Sequence, residues 1–114
     1  MTAREIVERA RQRGIAADEG RLYLALDRLE EQIRIYGSMP EKEFSEDGEL
    51  YAPKAYEDVY EEYLKRENAV LSEDWDCYDI HDKLFCAAWE RYCEYIVRNK
   101  ELRDQKFSLG SRWI

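Results

Sequence analysis

The chain has 114 residues, 45% of them hydrophobic and 39% charged, with a formal net charge of -8. That length fits one domain with a modest core. The acidic surplus argues against nucleic acid or an anionic membrane as a direct ligand, because phosphate binding needs a basic footprint. No apolar run approaches the length of a membrane-spanning helix. The opening MTAREIVERARQR also lacks a signal-peptide core.

The first element is predicted over residues 2–13. Thr2-Ala3-Arg4-Glu5 reads as a capping box, Ile6, Val7 and Ala10 form a short apolar face, and Gly14 ends the helix. A second helix is predicted over 18–36. Leu22, Leu26, Leu29 and Ile33 step by four, three and four along one face, and Arg21, Asp27, Arg28, Glu30, Glu31 and Arg34 are assigned to the outside. Tyr23 and Leu24 lie off this stripe. Gly37 and the Ser38-Met39-Pro40 run stop the helix.

Between residues 41 and 52 the helical period is lost. Phe44, the Asp47-Gly48 pair and Leu50-Tyr51-Ala52 predict a short β-hairpin. A lone hairpin is marginal in water, so this one must lie on the helices or meet a partner. Pro53 opens a third helix over 54–71, with Tyr56, Val59, Tyr60, Tyr63 and Leu64 on its buried face.

The stretch from Ser72 to Asn99 contains no Gly or Pro and predicts the long spine of the fold over 73–99. Ser72 is the expected N-cap. Tyr78, Phe85, Trp89, Tyr92 and Ile96 form its stripe, and Trp89, Phe85 and Leu26 are the expected core centre. After Leu102 the apolar period fades, and Phe107, Leu109, Trp113 and Ile114 follow around a Gly-Ser spacer. The expected fold class is therefore all-α: a small four-helix bundle with a short hairpin between helices two and three. Residues 1–102 form the helical domain and 103–114 an apolar tail.

Little in the chain suggests catalysis. Cys77, Cys86 and Cys93 all fall on the long helix without a CxxC pair, as expected of reduced thiols. Cys77 and His81 share a helical face at metal-ligand spacing, but no second Cys/His pair completes a zinc site. Glu73, Asp74, Asp76, Asp79 and Asp82 are acidic on several faces, which reads as a solvated surface. No phosphate-binding, dinucleotide, zinc-protease or nucleophile-elbow motif is present. No enzyme, cofactor or metal site is expected. The tyrosines of helices three and four sit where two faces meet, in the core or at a subunit interface.

In the order and spacing of these elements the chain resembles the small head–tail connector proteins of tailed bacteriophages and prophages. The resemblance covers roughly residues 2–98. It is most specific in EDGELYAPKAYEDVYEEYL, at Leu50, Pro53, Tyr56, Asp58, Tyr60 and Leu64. The Cys-rich long helix and the FSLGSRWI ending depart from the family pattern. The resemblance implies a mainly helical structural protein of the virion, assembled in the host cytoplasm. It implies a homo-oligomeric ring beneath the portal protein that contacts tail or stopper proteins, with no sequence-specific binding to DNA. Leu50, Tyr51, Phe107, Leu109, Trp113 and Ile114 are the candidate interface residues. From another class, an acidic regulatory or inhibitory module that targets a basic protein partner fits the same charge.

Overall fold

The computed structural model describes the backbone of residues 1–112 and the side chains of residues 1–100. Four α-helices follow in order: α1 (Ala3–Gln12), α2 (Glu19–Gly37), α3 (Glu57–Leu71) and α4 (Trp75–Arg112), with a 3-10 turn over Lys54–Tyr56 leading into α3. The all-α reading holds.

The local reasons lie in the sequence. Thr2 caps α1 by accepting the Glu5 N–H at 3.3 Å. Gly14, at φ +94°, lets the chain leave α1 in a left-handed conformation that a side chain would resist. On α2, Gly37 is needed for a different reason. A Cβ there would stand 2.9 Å from the Met39 side chain, so the glycine leaves room for Met39 to fold back over the end of α2, while Ile96 of α4 lies at an ordinary 3.4 Å.

The core is one cluster. Ala3, Ile6 and Val7 of α1, Leu22, Leu26, Leu29 and Ile33 of α2, Val59, Tyr60 and Leu64 of α3, and Ala88, Tyr92 and Ile96 of α4 are all buried. Helix α4 packs chiefly on α3 and on the turn before it, through tilted aromatic pairs: Tyr56 of the turn on Tyr95 at 4.8 Å and on Tyr92 at 5.4 Å, and Tyr63 of α3 on Phe85 at 5.4 Å between centroids. The tyrosines expected where two faces meet are thus largely a helix–helix seam.

Four expectations are corrected. The β-hairpin over 41–52 does not form. Among the described residues there is no strand, only an isolated antiparallel bridge between Thr2 and Glu49. Gly48 N–H closes a turn on Ser45 C=O at 3.2 Å, but the flanking segments pair with the N-terminus instead of each other. Arg4 N–H donates to Glu46 C=O at 2.9 Å and Leu50 N–H to Met1 C=O at 3.0 Å. Residues 39–52 form a strap across the start of α1.

Ser72 does not cap α4. It lies in the turn before Glu73, whose φ is +54°, and Asp74 accepts the Cys77 N–H at 3.2 Å in its place. The helix then continues to Arg112 and does not end near Asn99. Residues 100–112 contain good helix formers and no proline, so the fading apolar stripe does not end the backbone helix. The tail positions Phe107, Leu109, Trp113 and Ile114 lie outside the described side chains.

The core centre is also displaced. Leu26 is fully buried, but Phe85 and Trp89 are only partly so, at the edge of the cluster. Beside Trp89 the bundle offers Tyr36, which is itself nearly half exposed.

Candidate functional site

A carboxylate lies inside the core. Glu30, assigned to the outside of α2 from its charge, is 4% exposed. It sits between Leu26 and Ile33 on the buried stripe, so its backbone position carries it inward. One of its oxygens accepts the Tyr60 hydroxyl of α3. The other accepts the Tyr51 N–H of the strap at 3.0 Å. Tyr60 in turn accepts the Ala52 N–H at 3.0 Å. The Lys42 ammonium stands 3.9 Å from the carboxylate, bonds to the Glu49 carbonyl, and lies over the Tyr51 ring at 4.1 Å from its centroid.

This junction ties α2, α3 and the strap together at one point. Burial pushes the Glu30 carboxyl above its ordinary range, against the opposing pull of Tyr60, Tyr51 and Lys42. Burial and the neighbouring Glu30 also push the Tyr60 hydroxyl well above the usual phenol range. Its chemistry is positional: a proton donor and an acceptor are locked together.

Tyr92 is buried beside the junction, and its hydroxyl finds no hydrogen-bond partner among the described residues. Burial and the Glu30 charge hold it protonated well above the usual phenol range. An unpartnered buried hydroxyl is a cost. Replacing it, Tyr92→Phe, is expected to raise stability by about 1 kcal/mol in urea unfolding. A loss of stability there would show that a buried water serves the hydroxyl.

The candidate interface residues fall into two groups. Leu50 is buried against the protein's own core. Tyr51 is half-buried, its N–H on Glu30 and its hydroxyl on the Pro40 carbonyl at 2.7 Å. Both therefore stabilise the subunit itself. The other four lie outside the described side chains.

Cys77 and His81 line one pocket with Asp74, but each is engaged elsewhere. His81 Nδ1 faces Glu62 at 2.8 Å, and Cys77 sits at the Asp74 cap. Among the described residues, no three His, Cys, Asp or Glu side chains converge as metal ligands, and no helix is long and apolar enough to cross a membrane.

Many surface charges are paired within the chain. Arg9 reaches Glu57 at 2.7 Å and Glu61 at 3.0 Å, Arg13 reaches Glu61 at 2.9 Å, Arg4 reaches Asp47 at 3.1 Å, and Arg66 reaches Asp82 at 2.9 Å. Exposed apolar groups are numerous beside them. Leu24, Ile35 and Tyr36 of α2, Leu71 of α3, and Trp75, Ile80, Leu84 and Val97 of α4 each leave more than a third of their surface open. Sequence reasoning placed Leu24 off the main stripe but did not anticipate the bare outer flank of α4. Comparison with protein-family models, with curated proteins and with solved structures finds no match to the chain.

Proposed function

We propose that this protein is a structural head–tail connector subunit of a tailed bacteriophage or prophage, working as a homo-oligomeric ring beneath the portal. The resemblance over residues 2–98 is the basis of this reading. One structural observation supports it most. Large apolar side chains stand exposed on three helices of a strongly charged chain, the surface expected of a subunit that meets neighbours. The virion is its expected location, with portal and tail or stopper proteins as partners. Its residual acidic charge suits a channel wall past which DNA slides, since like charge opposes phosphate binding.

The acidic-mimic reading is less well supported by the same surface. Arg4, Arg9, Arg13 and Arg66 each hold one or more carboxylates, which reduces the acidic charge open to a basic partner. The discriminating experiment is the mass of the complex formed with the cognate portal protein. A stoichiometric multi-copy ring on the portal is expected. A one-to-one complex with a basic partner, steeply weakened by salt and indifferent to portal, would instead establish the inhibitory module.

A further inference from the structure

A groove between α2 and α3 and the outer side of the first turns of α4 are complementary in chemistry. The groove encloses about 340 Å³. Its apolar part includes Leu24 and Leu71, each about half exposed. Arg21 and Arg28 also line it, both exposed and without an ion pair among the described residues. Most of the other described arginines hold carboxylates on this chain of net charge -8, so these two stand available beside the open leucines.

The start of α4 presents the converse. Residues 72–84 contain five carboxylates and one cation, the exposed Lys83. Asp74 and Asp82 are engaged, at the cap and with Arg66. Asp76 and Asp79 are exposed and unpaired among the described residues, and they neighbour Ile80 and Leu84, which are 56% and 48% exposed.

We infer that the α4 face bearing Asp76, Asp79, Ile80 and Leu84 docks into the Arg21–Arg28 groove of a second copy of this chain. This rests on the ring reading and specifies its contact. The occupant is a second copy because the groove's complement, apolar groups flanked by unpaired carboxylates, stands on the chain itself. Burying the leucines and isoleucine supplies the attraction, and the arginine–aspartate pairs set the register. The two surfaces differ, so the contact is heterologous: each copy offers one face forward and the other back. Such a contact propagates head to tail and closes into a ring when its rotation permits.

The test uses the full chain and two charge-reversed variants. One carries Arg21→Glu with Arg28→Glu, the other Asp76→Lys with Asp79→Lys. All four positions are exposed, so circular-dichroism melts should match the unaltered protein. If either variant fails to fold, Arg→Gln and Asp→Asn at the same positions take its place.

Sedimentation velocity is read over a concentration series to about 1 mM. The unaltered chain should self-associate, more weakly at high salt. Each variant alone should associate at least about tenfold more weakly. An equimolar mixture of the two reversed variants should recover association, because each then meets its opposite charge. The inference is overturned if the variants associate like the unaltered chain, if the mixture stays as weak as its parts, or if the unaltered chain is monomeric throughout. Those results leave the ring itself standing. The ring is decided separately by the mass of the portal complex.

Discussion

Tyr60→Phe is expected to destabilise the protein by about 3–5 kcal/mol at neutral pH, although it removes a single oxygen. The hydroxyl serves two buried groups at once: it donates to Glu30 and accepts from the Ala52 N–H. Its loss takes a donor from a buried carboxylate, worth about 1.5–3 kcal/mol, and leaves a buried N–H unsatisfied, worth about 1–3 kcal/mol. The size of the loss should depend on pH. The Glu30 carboxyl has its folded pKa raised, chiefly by burial. A group raised on folding contributes stability that is fully present below its unfolded pKa and is lost as pH rises through the folded value. The penalty of Tyr60→Phe should therefore grow from acid toward neutral pH, since the carboxylate left behind is costly only when ionised.

Glu30→Gln should flatten that dependence, and the double variant should cost clearly less than the sum of the two single ones. Urea midpoints at several pH values for the four proteins measure all of this. A pH-independent Tyr60→Phe penalty would show that the carboxylate is not buried with the hydroxyl.

The helices were legible because their signals are local. The four-three-four step of Leu22, Leu26, Leu29 and Ile33, the stop at Gly14 and the break at Pro53 each act within a turn or two of chain. The strap was not legible for the opposite reason. Asp47-Gly48 carries a turn signal, and the chain does turn there. What Leu50 and Glu46 pair with is set by the distant N-terminus, which no local period encodes. Glu30 was misplaced because residue type was weighed above register: its position on the α2 stripe pointed inward, and its charge pointed outward. A carboxylate flanked by buried stripe positions, with tyrosines available to donate, was the signal that could have found the junction. The extent of α4 was missed because its apolar pattern fades before its helix ends. The α2–α3 groove was out of reach, since which faces stay bare depends on how helices diverge in space.

Leu26→Ala should cost about 3–4 kcal/mol, and Trp89→Ala only about 2 kcal/mol, although tryptophan is much the larger side chain. Leu26 is fully buried at the centre of the cluster, among side chains that are themselves buried. Removing its branched end leaves a cavity the surroundings cannot fill, the condition under which leucine truncation is most expensive. Trp89 keeps part of its ring in water and gains mainly from aromatic neighbours: Tyr36 and Phe85 at 6.0 Å and Tyr92 at 6.5 Å. Each such pair adds about 0.5–1.5 kcal/mol beyond its area, and the space left by truncation opens to solvent, so no sealed void remains. Composition alone would reverse the order, because the aromatic stripe of α4 is the most conspicuous feature of the sequence. Parallel urea titrations of the two variants decide it. A larger loss at Trp89 in the isolated subunit would mean that the open side of α4 is covered by something other than Tyr36.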